Sequence, residues 1–427
     1  MGTGDILFSV MDMGFVCLLI MLAAFLLANL LLRLPVSLSM MIGAVAGALA
    51  GGQGIPLRHL AEGAFAYLDT IMTISCAMIF MTVMKESGAL EALKTAIVKR
   101  FRKVPVLMLF LLTATVMFPG MITGSSTAAV LSTGALVAPV LLLMDIPKEK
   151  AGAIISIGAI MGMAAPPVNI PAMLICAGVD IPYTGFAGPL FLLTIPCALI
   201  CSLVLGLRYC RKVDYEKMSG GLDFEIGRKY GIRLYIPAIV LVVLLVVSRF
   251  VPSFPQLGTS LIFLICAAIG LFTGKRFNVW KAMLDAMDDA IPILGKLMGV
   301  GMFIQVMTLV GARGWIVVSC LGLGLWFVFI SAFTVLPAFG AVNSYGAASV
   351  IGIPILLAIV RSTGSSSVTV AAVLSFLCCL GDIMPPTALA GNYAAQVVGL
   401  PYRKVFAKSL LPFAICLACA AAVLFLL

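Results

Sequence analysis

The 427-residue chain has few charged side chains, since Asp, Glu, Lys and Arg make up only 10% of it. A soluble domain carries roughly 25% charged residues, so this composition excludes a protein whose whole surface faces water. His59 is its one histidine, and neither an HExxH nor a GxSxG motif is present. An intramembrane enzyme would therefore have little acid–base chemistry available, and no enzymatic activity is predicted.

Apolar residues dominate instead, at 63% of the chain with a mean hydropathy of +1.20. A membrane span needs about 20 apolar residues. The first apolar run begins at Met13 and lacks the basic start and cleavage site of a signal peptide, which predicts a retained helix. The sequence predicts an all-α polytopic membrane protein, with amphipathic pieces at 56–69, 89–103 and 276–292, and continuous spans at 13–32, 36–54, 70–88, 184–207, 235–250, 256–274, 293–311 and 404–427.

Two features invite other interpretations. The formal charge of +10 is typical of nucleic-acid binding, but the basic residues lie in short loops between apolar runs, where they fix membrane topology. No nucleic-acid partner is therefore predicted. The twelve cysteines lie mostly inside apolar runs without paired histidines, which predicts small buried side chains rather than disulfides or a metal centre.

The charged segment 208–234 divides the chain nearly in half and is predicted to be a cytoplasmic linker. With that choice most of the 27 basic residues fall on the cytoplasmic side. The exceptions are Lys296, which lies in a span and snorkels, and four external residues, Arg58, Arg249, Arg313 and Arg361. This orientation predicts a protein of the bacterial inner membrane with ten spans and two hairpins. Both termini are predicted to lie in the periplasm.

Two apolar runs carry a small, polar interruption. The run from Pro105 to Leu143 is interrupted at 119–127, and the run from Trp315 to Val360 at 337–346. Both patterns predict re-entrant helical hairpins, because non-helical backbone at membrane depth is tolerated only when protein or water surrounds it. Two ordinary spans joined by a surface loop are the alternative for each run.

The halves also repeat one another. A shift of 219 aligns 125–183 with 344–402, pairs the two Pro-Pro dipeptides and pairs Tyr183 with Tyr402; a shift of 223 aligns the residues upstream. Each half has five spans, with one broken at its Pro-Pro, so the second copy must enter the membrane upside down. The sequence thus predicts two inverted repeats, with a binding site where they meet near the bilayer midplane.

Three kinds of feature indicate that site. Each Pro-Pro breaks an apolar helix and leaves carbonyl groups free to bind a cation. The hairpin tips offer small and hydroxyl-bearing residues, and Asp382 is an acidic residue in an apolar helix, where charge is costly. The predicted binding residues are Gly124, Ser125, Ser126, Thr127, Pro166, Pro167, Asn169, Asn343, Ser344, Gly381, Asp382, Pro385, Pro386, Thr387 and Asn392, with sodium expected at Ser125, Ser126, Ser344 and Asp382.

These residues carry a resemblance. The stretch 124–190, which begins GSSTAAVLSTG and includes MAAPPVNIP, and the stretch 381–413, which begins GDIMPPTALAGNY, resemble the large membrane subunit of TRAP (tripartite ATP-independent periplasmic) transporters. The pattern covers nearly the whole chain. The tip and the paired Pro-Pro breaks are shared with the wider ion transporter superfamily.

The resemblance implies an elevator mechanism. A transport domain of 105–180 and 315–400 would slide against a scaffold formed by 1–104, 181–314 and 401–427. It would carry sodium, the coupling ion, and a small organic anion of the carboxylate class; no other cofactor is implied. Family partners are a small four-helix membrane subunit and a periplasmic substrate-binding protein.

The chain departs from the family pattern at its hairpin tips. Many members have an acidic residue in the second tip where this chain has Ser344, so either the second sodium site is absent or its charge comes from Asp382. Neither tip has an arginine, which leaves anion recognition to backbone N–H groups and hydroxyls. A stand-alone carrier without a binding protein is the main alternative, and a channel is a third.

Overall fold

The computed structural model describes residues 3–101, 103–210, 225–250, 255, 257–322 and 324–426. Within these ranges all regular structure is helical. Nine helical segments in the described residues are long and apolar enough to cross a membrane, and four shorter apolar helices accompany them. The chain is a multi-pass helical membrane protein, as its composition predicts. Residues 211–224 of the predicted linker lie outside the described residues.

The helices fall into two series. The first comprises α1 (Thr3–Leu26), α2 (Val36–Ala50), α3 (Leu57–Phe65), α4 (Leu68–Glu86), α5 (Ala89–Phe101), α6 (Pro105–Thr123), α7 (Ser126–Ala129), α8 (Ala135–Leu143), α9 (Lys148–Ala164), α10 (Ile170–Gly178) and α11 (Ala187–Cys210). The second comprises α12 (Glu225–Tyr230), α13 (Ile236–Phe250), α14 (Thr259–Gly270), α15 (Val279–Leu309), α16 (Ala312–Gly322), α17 (Leu325–Gly346), α18 (Ile353–Thr363), α19 (Ser367–Leu380), α20 (Leu389–Val397) and α21 (Tyr402–Leu426).

The two series match in order. Helices α2 and α14 begin 223 residues apart, and α10 and α20 have bounds that differ by 219 at both ends. Each hairpin also contains a π-helical segment just beyond its tip, Val130–Gly134 in the first and Ala347–Gly352 in the second. The spacing of these elements agrees with the shifts of 219 and 223 residues on which the predicted repeat rests.

The hairpin breaks are narrower than the sequence predicts. Pro119 remains inside α6, and the chain leaves the helix only at Gly124 and Ser125. In the second hairpin Pro337 remains inside α17, and Asn343 alone has non-helical dihedral angles, φ −158° and ψ 103°. A proline removes one backbone donor, and the helical hydrogen bonds resume on either side of it when the neighbouring helices hold the chain.

The prediction of a separate amphipathic piece at 276–292 before a span at 293–311 is wrong. Helix α15 is continuous from Val279 to Leu309, with Pro292 inside it. The acidic residues near Asp289 are typical of an amphipathic surface helix, and here they occupy the exposed face of the first turns of a long helix whose other face is buried.

Helices α9 and α19 lie at the centre of the fold. Every residue of α9 from Ala151 to Ala164 is buried, and so is every residue of α19 from Val370 to Leu380. Helix α9 packs on α6, and α19 packs on α17, so each broken helix supports the first arm of its own hairpin. All twelve cysteines are free and ten are buried, which confirms the prediction of small buried side chains.

Candidate functional site

The first hairpin tip is shaped by Gly124, which ends α6 in the left-handed conformation, φ 64°. A Cβ atom here would lie 2.6 Å from Cγ1 of Ile170, so only glycine fits. Ser125 then takes an extended conformation and caps α7, its Oγ accepting from the Ala128 N–H at 3.3 Å. The tip is a tight, capped turn in which Ser125 and Ser126 are buried and Thr127 is half-buried.

The second tip is built differently. Asn343 and Ser344 are buried, and the extended Asn343 interrupts α17 without any side-chain cap. The Nδ2 atom of Asn343 is buried and has no hydrogen-bond partner among the residues that the structure describes. A buried amide without a partner is costly, which makes this group a candidate ligand contact.

The two tips meet. The Tyr345 hydroxyl donates to the Gly124 carbonyl oxygen at 3.2 Å, joining the second tip to the first. Ser126 Oγ donates to Oδ2 of Asp382 at 2.5 Å, joining the first tip to the turn Gly381–Ile383 at the end of α19. Asp382 is 4% exposed. The sequence separates these partners by more than 200 residues, and the fold brings them together.

These groups face a cavity of about 480 Å³. Ser125, Ser126, Thr127, Asn343, Ser344 and Asp382 line it, which assembles six of the residues predicted from the sequence. The opposite wall is formed by α4 and α15. Four charged residues line the cavity, two basic and two acidic, and these are Lys85, Asp289, Lys296 and Asp382.

The two Pro-Pro breaks do not line the cavity. Both Pro-Pro peptide bonds are cis; Pro166 is buried, whereas Pro385 and Pro386 are exposed. The chain just beyond each break bonds to its hairpin: the Val168 backbone N–H donates to the Met121 carbonyl at 3.1 Å, and the Thr387 side-chain hydroxyl donates to the Ala341 carbonyl. The breaks hold the tips in place through these bonds.

Three further predicted residues also lie behind the cavity wall. Asn169 is 0% exposed and caps α10, its Oδ1 accepting from the Ala172 N–H at 2.9 Å. Its Nδ2 donates to the Ala164 carbonyl at 2.7 Å and to Ser375 Oγ at 3.2 Å. Asn392 Nδ2 donates to the Thr387 carbonyl at 2.8 Å. Gly381 packs so tightly that a Cβ atom would lie 2.3 Å from the Gly340 carbonyl carbon.

Part of the wall is not among the predicted binding residues. Lys296 is predicted to snorkel, and Asp289 lies in the predicted amphipathic piece at 276–292, yet both residues line the cavity. The sequence does indicate that Asp289 and Lys296 belong together, because residues seven positions apart lie two turns apart on the same face of a helix. Tyr345 and Lys85 carried no such signal.

The chemistry of the lining favours a hard cation. Hydroxyl, amide and carboxylate oxygens of Ser125, Ser126, Asn343 and Asp382 are the ligand types that sodium prefers, and no soft ligand is needed. Across the described ranges, no group of three or more His, Cys, Asp or Glu side chains gathers as a transition-metal site requires.

The family model described as "Tripartite ATP-independent periplasmic transporter, DctM component" matches residues 21–427. Among solved structures, the crystal structure of the Alcanivorax borkumensis YdaH transporter is similar, with a TM-score of 0.56 and 16% sequence identity. The similarity covers 86% of this chain and 88% of that one, and it shows a shared fold. No curated protein matches the chain significantly.

Proposed function

Because the chain belongs to the DctM-component family of tripartite ATP-independent periplasmic transporters, we propose that it is the large permease subunit of a sodium-coupled importer of small organic anions. A periplasmic substrate-binding protein would deliver the anion, and a small four-helix membrane subunit would complete the permease. The chain itself contributes the membrane path and the ion site.

The Ser126–Asp382 hydrogen bond carries this proposal. It joins a hairpin tip of the first half to the broken helix of the second half, at the wall of the cavity. A carboxylate in a membrane-embedded site is costly unless a cation or proton compensates it. Sodium bound at Asp382, with Ser125, Ser126 and Ser344 as neighbours, would compensate that charge and hold the two tips together.

The anion would bind beside the sodium. The four charged side chains that line the cavity balance one another, so each bound sodium ion makes the cavity net positive. A small carboxylate would then be attracted, and hydroxyl donors such as Thr127 and the free Asn343 amide would orient it. Anion transport would be coupled to sodium because the anion binds well only after sodium has bound.

The packing of the helices supports inverted repeats and an elevator. Helix α10 packs on α19 while its counterpart α20 packs on α9; in the same way α4 packs on α14 and α15 packs on α2. Such an exchange is expected of two copies related by a two-fold axis in the membrane plane. The transport domain would be 105–180 with 315–400, and the remaining helices would form the scaffold.

Orientation can be tested at equivalent positions. Thr184 and Arg403 differ by 219 and are both exposed. In a bacterial inner membrane, cysteines at the two positions should react with a membrane-impermeant maleimide from opposite sides. The unsubstituted chain, whose native cysteines are mostly buried, measures background labelling. Labelling of both positions from the same side would contradict inverted repeats. Labelling from the cytoplasm of a cysteine introduced beside Met1 would contradict periplasmic termini.

The function is tested by uptake into proteoliposomes that contain the full permease and its binding protein. Asp382→Asn is expected to lower sodium-driven uptake at least about tenfold, because it removes a charged ligand, and Ser126→Ala somewhat less. Asp180→Asn is the matched control: Asp180 is exposed, lies outside the cavity, and has φ 54°, which asparagine also tolerates. Unchanged sodium dependence in Asp382→Asn would refute the site. Uptake that needs no binding protein would favour the stand-alone carrier.

A further inference from the structure

Lys296 lies in an unusual place for a lysine. It is near the middle of α15, is half-buried, and lines the same cavity as Asp382. The helix around it is apolar, with Ile293, Leu297 and Val300 buried. A lysine that only snorkelled would extend toward the membrane surface, whereas this side chain lines the wall facing the hairpin tips.

Lys296 and Asp382 carry opposite charges and line the same cavity, and no direct ion pair joins them among the described residues. Opposite charges that share a poorly solvated cavity attract each other even without contact. The other basic residue of the wall, Lys85, is exposed, so water screens its charge more strongly than that of the half-buried Lys296. Of the two lysines, Lys296 is therefore the better placed to compensate the buried carboxylate.

The two partners belong to different parts of the chain. Asp382 ends the broken helix α19, which is held to the first tip by Ser126. Lys296 belongs to α15, which packs on α2, α3 and α4. If the proposed division into scaffold and transport domain is correct, the attraction between Lys296 and Asp382 crosses the boundary at which the two parts slide.

We propose that Lys296 is the countercation of Asp382 in the sodium-free carrier, and that sodium competes with it for that carboxylate. This inference rests on the proposed function. Two cations that compensate one buried charge repel each other, so binding of sodium at Asp382 weakens the hold of Lys296. Lys296 is then free to face the incoming anion, and the attraction between scaffold and transport domain is reduced.

Sodium binding can be measured without transport. The thermal unfolding midpoint of the purified full-length chain is recorded against NaCl concentration, with choline chloride keeping the ionic strength constant. Lys296→Gln should lower the sodium concentration for half-maximal stabilisation about fivefold, because the competing charge is gone. Lys296→Met, which keeps the length of the side chain, should behave in the same way and serves as the second variant if the glutamine variant folds poorly.

Two controls separate competition from general effects. Lys296→Arg keeps the charge and should stay within about twofold of the unsubstituted chain. Lys281→Gln removes the same charge from an exposed position on the same helix, outside the cavity, and should also leave the sodium concentration unchanged.

The outcomes distinguish this inference from the function on which it rests. If Asp382→Asn loses the sodium effect while Lys296→Gln and Lys296→Met need as much sodium as the unsubstituted chain, or more, competition is refuted and the sodium site stands. If sodium stabilises the unsubstituted chain no more than choline does, the sodium-coupled function fails, and the competition fails with it.

Discussion

The two halves of the molecule share a plan of helices but differ at the hairpin tips. In the first half the turn is capped: Gly124 takes the left-handed conformation, and Ser125 accepts from a backbone N–H of α7. In the second half Asn343 interrupts α17, and its amide nitrogen has no partner among the described residues. In the first tip Ser126 and the Gly124 carbonyl are bonded to the second half, whereas the second tip leaves the Asn343 amide nitrogen unpaired.

The residues that follow the two Pro-Pro breaks also differ, and again those of the first half make more hydrogen bonds. Beyond the first break Asn169 caps α10 and is fully buried with three hydrogen bonds. The equivalent residue beyond the second break is Ala388, which cannot cap α20 and lies in the left-handed conformation, φ 44°. Asp382 also belongs to the second half. The comparison teaches that the first break is closed by the hydrogen bonds of Asn169, while the second half brings the buried carboxylate of Asp382 and the unpartnered amide of Asn343 to the cavity.

The largest expected effect is a loss of stability, and it tests a contact that both halves share, between a glycine of the broken helix and the hairpin. In each half a glycine of the broken helix touches the hairpin backbone: a Cβ on Gly162 would lie 2.3 Å from the Met117 carbonyl oxygen, and one on Gly381 would lie 2.3 Å from the Gly340 carbonyl carbon. Gly162→Ala and Gly381→Ala should each lower the free energy of unfolding by about 3 kcal/mol, because backbone must move.

The unfolding midpoint of the purified protein measures both changes. Gly188→Ala is the matched control in α11, since nothing lies within 4 Å of a Cβ there, and it should be neutral or stabilise by up to about 1 kcal/mol. A Gly381→Ala variant as stable as the control would mean that the second half is not packed like the first.

The next largest effect, also a loss of stability, tests whether the first Pro-Pro break is held by stronger hydrogen bonds than the second. Asn169→Ala removes a buried cap and the two bonds that its amide donates to the Ala164 carbonyl and to Ser375, which keeps only its bond to the Ala372 carbonyl, so the loss of stability should be about 2 kcal/mol. Asn392→Ala removes one bond, to the Thr387 carbonyl, from a half-buried residue and should cost about 1 kcal/mol. Equal losses, measured by the same unfolding midpoint, would show that the first break is not the more rigid.

A smaller effect concerns function at the second tip. Asn343→Ala removes an amide nitrogen that has no partner, so the protein should remain folded, while sodium-driven uptake falls about tenfold, equal to about 1.4 kcal/mol. Asn278→Ala is the converse control: that residue caps α15 by accepting from the Lys281 N–H at 3.1 Å, outside the cavity. It should lose stability and keep uptake. Asn343→Ala with full uptake would remove the second tip from the site.

Much of the fold follows from the periodic sequence. Spans predicted at 36–54 and 70–88 correspond to α2 and α4 within a few residues, and the predicted family is confirmed by the match over 21–427. Helix α15 was divided wrongly because its acidic first turns look solvated, and only packing reveals that its other face is buried. Local composition cannot distinguish a surface helix from the exposed end of a long buried one.

The site was predictable only in part. Hydroxyls at a glycine-rich tip and an acidic residue in an apolar helix are unusual locally, and Ser126 and Asp382 do meet. The opposite wall depends on which helices pack together, and nothing in the local sequence places Lys296 across from a residue 86 positions away. The role of the Pro-Pro breaks can be assigned only from tertiary contacts. The dipeptide alone does not show whether the break bonds to its hairpin or lines the cavity.

The smallest expected effect concerns Ala388, the residue that stands where the first half has its cap. The left-handed conformation costs a non-glycine residue roughly 1–2 kcal/mol, and glycine adopts it freely but gains about 0.4–1 kcal/mol of entropy in the unfolded chain. Ala388→Gly should therefore stabilise the protein by about 0.5 kcal/mol, a small rise in the unfolding midpoint. Ala390→Gly, two residues later inside α20, should destabilise it by about 1 kcal/mol, because glycine is a poor helix former. If both variants lose stability alike, then the second break is as well satisfied as the first, and the asymmetry between the halves would be confined to the hairpin tips and Asp382.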